Sequence, residues 1–251
     1  MDFTLNIYTR LLKTILKSGY SIQTFEEFIL NPQKKTVVLR HDVDRLPNNA
    51  LRMAKIENKF GITASYYFRI VPYVFKENLI KKCVSLGHEV SYHYEDMTLF
   101  KGNIDKSYMH FKRKLDLFRT FYPAKTVCMH GSPITKWDNR DIWKKYDYKK
   151  LDIIGEPYFD VDYNKVFYIT DTGRRWNRQD ISVRDKVNSG FNYKINSTID
   201  LINKFENDEL PNQVIINTHP HRWVNNFVSW LKELVLQNIK NVVKYLIIKF
   251  R

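Results

Sequence analysis

The chain has 251 residues, of which 43% are hydrophobic and 27% charged, a composition typical of a globular protein. Two cysteines, Cys83 and Cys128, are too few for a disulfide framework. No apolar run reaches the ~18 residues of a membrane span, and the N-terminus lacks the apolar core of a signal peptide. We therefore expect a single cytoplasmic domain over residues 1–251.

The basic charge has several possible causes. With 41 Lys+Arg against 27 Asp+Glu, the net charge is +14. Such a charge suits an acidic substrate, nucleic acid or an anionic membrane face. The basic residues are spread along the chain, without an arginine-rich tract, zinc-finger spacing or an RNP-like signature. We therefore favour general compositional bias and expect no specific nucleic-acid partner.

Short β-branched runs alternate with longer amphipathic segments along the chain. Helices are predicted at 3–17, 47–60, 76–86, 104–121, 140–146, 198–205 and 224–251, and strands at 36–44, 62–69, 88–93, 125–131, 151–159, 165–173 and 213–220. This alternation is typical of an α/β fold with a parallel sheet, and seven strands favour a closed or nearly closed barrel.

Acidic residues and histidines collect at the carboxyl ends of these predicted strands. Six of the seven histidines, all except His110, lie at or beside a strand. In a parallel (β/α) barrel these ends form the active site. The polar strand ends are HDVD at 41–44, HEVSYHYED at 88–96, HGSP at 130–133, EPY at 156–158, DTGR at 171–174 and HPHRW at 219–223. The clustering predicts a metal-dependent acid/base site.

Asp42 and Asp44 are two residues apart, so on a strand they share one face. Two carboxylates facing one cavity repel each other unless a cation or a shared proton lies between them. One of them would then hold a metal ion and the other accept a proton. The alternative is that the pair contacts loop amides or pairs with Arg40 or Arg45.

Among the histidines, His93 is the best candidate metal ligand, because imidazole binds zinc, iron and nickel well. We expect it to face the same cavity as the strand-one carboxylates. Glu95, Asp96 and His130 are candidates for a further ligand. His219, at the end of the last strand, is the candidate general acid.

The ordered motifs HDVD, GHEVSYH and a late strand-end histidine resemble the polysaccharide deacetylase superfamily with its NodB-type fold, from Thr36 to Trp223. Together with CMHGSP, GEPYFD, TDTGRRW, SVRDKV and HPHRW, they resemble a branch associated with bacterial surface-polysaccharide gene clusters. The resemblance implies a distorted (β/α)7 barrel, here with an extra N-terminal helix and a long C-terminal helix.

The resemblance also implies roles for individual residues. Asp42 matches the catalytic base, Asp44 and His93 match metal ligands, and His219 matches the catalytic histidine. Because Val43 separates the two aspartates, the roles of base and ligand could be exchanged. The family's second metal-binding histidine would fall on Met97, so Glu95, Asp96 or His130 must complete the site, or the metal is lost. MHGSP replaces the family's arginine-containing third motif.

The resemblance implies metal-dependent hydrolysis of an N-acyl group, in the first place N-acetyl, on a sugar during lipopolysaccharide or capsule synthesis. The expected cofactor is a divalent metal ion, zinc before iron, cobalt or nickel, and the expected substrate is an N-acylated sugar, free, nucleotide-linked or lipid-linked. The alternative is a non-catalytic glycan-binding barrel with an eroded metal site. The candidate substrate-binding residues are Glu156, Arg174, Trp176, Arg222 and Trp223, for which ordinary packing is the alternative.

The last predicted helix has apolar residues at helical spacing with lysines between them. We favour a helix that docks on the barrel through this apolar side. The alternative is a helix on an anionic membrane face, which would place the protein at the periphery of the inner membrane.

Overall fold

The computed structural model describes residues 1–131, 135–176, 184 and 187–249. Its strands are β1 (Ser21–Gln23), β2 (Thr36–Val43), β3 (Ser65–Phe68), β4 (Glu89–Tyr94), β5 (Cys128–Met129), β6 (Phe167–Thr170) and β7 (Gln213–Thr218). Its α-helices are α1 (Leu5–Lys17), α2 (Phe25–Leu30), α3 (Pro47–Asn58), α4 (Glu77–Ser85), α5 (Asp96–Leu99), α6 (Ile104–Arg119), α7 (Thr198–Glu206) and α8 (Phe227–Lys249). Short 3₁₀ turns cover Asn139–Lys144, Tyr148–Leu151, Thr172–Arg174 and Pro220–Arg222.

The strands form a curled parallel sheet in the order β5-β4-β3-β2-β7-β6, with β1 beside the start of β2. Every residue of β2 is buried, as expected for a strand with neighbours on both edges and helices over one face. The predicted α/β fold with a parallel sheet is therefore confirmed. Among the described residues, β6 pairs only with β7, so the sheet is a half-barrel that stays open at this edge.

The strand predicted over 151–159 is wrong. The segment contributes a single bridge, Thr126 to Gly155, next to β5. Asp152 is in the left-handed region with φ 55°, and the amides of Phe159 and Asp160 turn back to the carbonyl of Glu156. Pro157 has no amide hydrogen to give to a ladder. The backbone therefore forms turns on both sides of this bridge, and the bridge does not extend into a strand.

Short elements that were not predicted include β1 and α2. The helix begins with a capping box, in which the Thr24 hydroxyl accepts from the amide of Glu27 and the Glu27 carboxylate accepts from the amide of Thr24. That pattern is readable in the sequence. The elements have only three and six residues, too few for an apolar period to be visible.

The orientation of α8 is the reverse of the predicted one. The helix packs over the turn Thr172–Arg174, and the side chains it buries are polar, among them Glu233, Gln237 and Asn241. Most of its described apolar residues are exposed instead, while Trp230 and Leu234 are half-buried. No helix within the described ranges is long and apolar enough to cross a lipid bilayer.

Candidate metal centre and acid/base site

A pocket of about 190 Å³ opens at the carboxyl ends of the central strands. Parallel strands all end at this edge of the sheet, so residues distant in sequence meet there. The predicted residues at its wall are Asp42, Asp44, His93, His130, His219 and Arg222. Both strand-one carboxylates thus face the same cavity as His93, which is the arrangement that their spacing predicted.

Three side chains in this pocket converge on one point. Nδ1 of His130 lies 3.1 Å from Oδ1 of Asp44 and 3.2 Å from Nε2 of His93. The same oxygen of Asp44 lies 3.5 Å from Nε2 of His93. Asp44 follows β2, His93 is in β4 and His130 follows β5, so strand order alone brings them together.

These distances fit a small divalent cation. Metal–ligand bonds of about 2.0–2.1 Å place ligand atoms about 3.4 Å apart in a tetrahedron and about 3.0 Å apart in an octahedron. The three separations between the ligand atoms, 3.1, 3.2 and 3.5 Å, lie in or close to this range. His93 donates a hydrogen bond from Nδ1 to the carbonyl of Cys128. The lone pair of its Nε2 is therefore directed into the triangle formed by the ligand atoms of Asp44, His93 and His130.

The protonation states also suit a metal. Burial lowers the pKa of His93 to about 4, so its imidazole is neutral at pH 7 and can act as a ligand. Burial opposes ionisation of Asp44, but the surrounding imidazoles, led by His130, hold its pKa well below the usual value. Asp44 is therefore an anion that faces two imidazole nitrogens.

A second group, Asp42, His93 and Cys128, also brings three potential ligand atoms together. Its separations are longer, 4.0 Å between Asp42 and His93 and 3.9 Å between Asp42 and Cys128. In addition, Oδ2 of Asp42 already accepts from Arg40 at 3.0 Å and from Asn217 at 2.9 Å. The group containing Asp44 is the better fit to a single ion.

Asp42 is held by a buried arginine. The Arg40 guanidinium is fully buried, donates to Oδ2 of Asp42 and reaches the hydroxyls of Tyr158 and Tyr168. Burial disfavours its charge, but Asp42 keeps the pKa of Arg40 well above its usual value. The pairing of Asp42 with Arg40, an alternative considered from the sequence, is thus present, and Asp44 is left to face the histidines.

His219 is held from behind by a second carboxylate. Its Nδ1 lies 2.6 Å from Oδ1 of Asp171, and its Nε2 lies 3.8 Å from Oδ2 of Asp44. Asp171 also accepts hydrogen bonds from Arg222 at 2.5 Å and from the indole of Trp223 at 2.8 Å. The imidazole is therefore fixed with one nitrogen on Asp171 and the other toward the candidate metal centre.

Four of the five predicted substrate-binding residues do not reach the pocket. Trp176 and Trp223 are fully buried, the first stacked on Phe3 and the second in a T-shaped contact with it, so neither ring can lie on a sugar. Arg174 is buried beneath α8, with Nη1 on the carbonyl of Trp230. The prediction of substrate contact is wrong for these three, because they pack the base of α8 and the N-terminal segment.

Glu156 is the fourth predicted substrate-binding residue that does not reach the pocket. It is fully buried and accepts from the amides of Met129 and Tyr158, and burial raises its pKa to about 7. It fastens the turn after Gly155 to the end of β5 and makes no contact with the pocket. Arg222 does line the pocket, but its Nη1 is engaged by Asp171.

The other candidates for the third ligand lie elsewhere. Glu95 makes a bidentate ion pair with Arg69, its oxygens 2.7–3.1 Å from the guanidinium nitrogens. Asp96 is buried against the hydroxyl of Tyr92 and against His110. Met97 packs in the apolar core, so its position in the sequence has no bearing on the pocket.

Two residues of the site, Asp171 and Asn217, were not assigned a role from the sequence, whereas Arg40 was named there only as a possible partner of the aspartates. The spacing supports that pairing, because residues 40 and 42 of β2 point to the same face of the strand. Asp171 ends β6 and Asn217 belongs to β7, and their partners could not be read without the pairing of these strands with each other and with β2.

No protein-family model, no curated protein and no solved structure matches the chain. What the fold and the site define is an α/β half-barrel with a candidate metal centre at the carboxyl ends of its strands. The resemblance to polysaccharide deacetylases stays a prediction from the motifs.

Proposed function

We propose that the chain is a metal-dependent amidohydrolase of the polysaccharide deacetylase type, with the NodB-type barrel that its motifs imply, which removes an N-acyl group, in the first place N-acetyl, from a sugar. The observation that carries the proposal is the triangle of Asp44, His93 and His130, with separations of 3.1–3.5 Å. Asp42 and His219, each fixed by a partner, lie within 4.0 Å of a member of that triangle.

A divalent cation at this site, zinc by the preference for imidazole with a carboxylate, supplies Lewis acidity that polarises an acyl carbonyl and acidifies water. The residues of the chain transfer the protons. Asp42 accepts a proton from the attacking water, and Arg40 and Asn217 hold its Oδ2. In the described part of the chain Oδ1 of Asp42 contacts the weak donor Sγ of Cys128 at 3.9 Å, and we assign the proton to this oxygen.

His219 acts on the leaving group. The water oxygen bonds to the carbonyl carbon, the C–N bond breaks, and the departing amine takes a proton from Nε2 of His219. Asp171 holds Nδ1 of the same ring and stabilises the imidazolium that precedes this transfer. A positioned general acid contributes ~10²–10⁴-fold to the rate.

The pocket wall supports an anionic substrate, such as a nucleotide-linked or lipid-linked sugar. Arg45, Arg69 and Lys240 line it. Arg45 is paired with Glu233 and Arg69 with Glu95. Within the described part of the chain Lys240 makes no ion pair, so its charge is available to a phosphate group on the substrate.

The direct test is release of acetate from N-acetylated sugars by protein loaded with Zn²⁺. UDP-N-acetylglucosamine and an N-acetylglucosamine oligosaccharide would represent the nucleotide-linked and polymeric classes. We expect Asp42→Asn to abolish acetate release while it retains zinc, and exposed Asp116→Asn to leave the rate unchanged. Zinc-loaded protein that binds these sugars without releasing acetate would favour the non-catalytic alternative.

A further inference from the structure

Helix α8 packs on the protein through polar side chains. Glu233, Gln237 and Asn241 recur every four residues and are all buried. Glu233 pairs with Arg45 at 3.1 Å, Gln237 donates to Asn241 at 2.8 Å, and Asn241 donates to the carbonyl of Gly173 at 2.8 Å. These bonds fix which side of the helix faces outward.

The outward side is apolar. Val228, Leu231, Val235, Ile239 and Val242 are three or four residues apart, and their exposed fractions are 72%, 43%, 50%, 56% and 60%. A surface helix normally shows the opposite arrangement, with apolar residues inward. A contiguous apolar stripe of this length marks an interaction surface, because water disfavours it and nothing in the fold requires it.

The charges around the stripe indicate what covers it. Within Phe227–Lys249 the sequence has four lysines and one acidic residue, Glu233. Glu233 is buried in its ion pair, while Lys232 is exposed beside the stripe and Lys240 is exposed on the side of the helix that lines the pocket. The surface charge of the helix is therefore positive, in a chain of net charge +14.

A positive margin around an apolar stripe complements an anionic lipid bilayer, where apolar side chains enter the acyl boundary and lysines meet phosphate headgroups. A second copy of the chain is a poorer partner, because an isologous contact through this stripe would bring like charges together. Gln237 and Lys240 of the same helix line the candidate active-site pocket, so the helix that carries the stripe is also part of the pocket wall.

We propose that the apolar stripe of α8 (Val228, Leu231, Val235, Ile239 and Val242) binds the surface of an anionic lipid bilayer and holds the pocket near the headgroups. The helix lies in the plane of the interface and does not span it. This proposal concerns a different surface from the hydrolytic site and does not depend on the proposed hydrolysis.

The test is flotation of the full chain with vesicles of phosphatidylcholine and phosphatidylglycerol, with pure phosphatidylcholine vesicles for comparison. We expect binding to the mixed vesicles that is weaker in high salt. The double variant Val235→Asp/Ile239→Asp should lower partitioning at least ~10-fold, because two apolar anchors become charged. Met109→Asp, at a 66% exposed apolar residue of α6, is the matched control and should bind as wild type.

A further variant examines the charge component. Lys232→Glu should reduce binding to the mixed vesicles and flatten its salt dependence, without changing zinc affinity. Unchanged partitioning of the double variant, or equal binding to neutral and anionic vesicles, would overturn the proposal. So would a wild-type dimer, seen by sedimentation without lipid, that the double variant dissociates, because a second copy would then occupy the stripe. Far-UV circular dichroism establishes that each variant is folded.

Discussion

Nδ1 of His219 lies 2.6 Å from Oδ1 of the fully buried Asp171. Burial opposes ionisation of Asp171, but the charge of Arg222 and the contact with His219 lower its pKa, so it is a carboxylate at pH 7. A carboxylate only accepts hydrogen bonds, so Nδ1 must carry the hydrogen. Nε2 is then the nitrogen that faces Asp44 and the pocket.

The first prediction follows from this pair. His219→Gln should keep zinc affinity and lower the turnover of an N-acetyl sugar by ~10²-fold or more, because no side chain protonates the amine. Asp171→Asn should also lower turnover, since the imidazole loses the acceptor that fixes its tautomer. Steady-state kinetics and zinc titration of the same preparations measure both effects.

An amide with an activated leaving group serves as the control for the acid step. It needs no protonation, so it should recover much of the rate lost in His219→Gln. Loss of zinc from this variant, or turnover equal to wild type, would rule out His219 as the acid.

The second prediction concerns the metal ligands. Replacing Asp44, His93 or His130 by alanine should each weaken zinc binding by more than ~10²-fold, because even loss of a residue that merely supports a ligand costs 10–100-fold. Met97→Leu and Cys128→Ala should bind zinc as wild type does. Calorimetric titration of chelator-treated protein measures the affinity, and a large loss in Cys128→Ala would instead favour the site at Asp42, His93 and Cys128.

The third prediction is a pH dependence of stability in metal-free protein. The pKa of folded His93 is about 4, against ~6.5 for an unfolded histidine. Between these values the unfolded chain binds more protons than the folded chain. The contribution of His93 to the stability of the metal-free protein is therefore complete above pH ~6.5. As the pH drops to 4, the titration of His93 lowers the free energy of unfolding by about 3 kcal/mol.

His93→Asn isolates that contribution. The asparagine amide can still donate to the carbonyl of Cys128 in place of Nδ1, but it does not titrate. Urea unfolding with a chelator at pH 7 and pH 4 should show a smaller loss of stability in the variant, by about 3 kcal/mol. Parallel pH curves for the two proteins would contradict the assignment.

The fourth prediction concerns the buried Glu57 of α3, beneath the site. It accepts from the hydroxyls of Tyr8 at 2.5 Å and Tyr66 at 2.7 Å, and lies 2.9 Å from Nε2 of His41. Burial opposes its charge, yet the imidazoles of His41 and His88 and the hydroxyl of Tyr8 lower its pKa to about 2. Glu57→Gln should destabilise the fold by about 3 kcal/mol, because two donors and an imidazole lose their anion.

Urea unfolding measures the effect, and Glu77→Gln provides the matched control. Glu77 is exposed and pairs with Lys81 at 3.8 Å, so its replacement should change stability by less than ~0.5 kcal/mol. Similar values for both variants would show that the Glu57 cluster has little net effect on folding.

The sequence by itself determined the parallel α/β sheet and the place of the site. β-branched runs alternating with amphipathic segments have one stable arrangement, and parallel strands collect their carboxyl ends at one edge. The grouping of Asp42, Asp44, His93, His130 and His219 in one pocket follows from that topology. Period-2 spacing predicted both aspartates at one cavity, and in the structure both line it, although Asp44 lies one residue beyond β2.

Only the tertiary structure decided which neighbour each side chain meets. Asp42 pairs with Arg40 and with Asn217 of β7, while Asp44 lies in the turn after β2 and faces the histidines. The same holds for Trp223, which resembles a sugar platform in sequence but is packed under Asp171. An apolar stripe at helical spacing has the same period whether it faces the core or the solvent, so the direction of α8 depended on the buried bonds of its polar side.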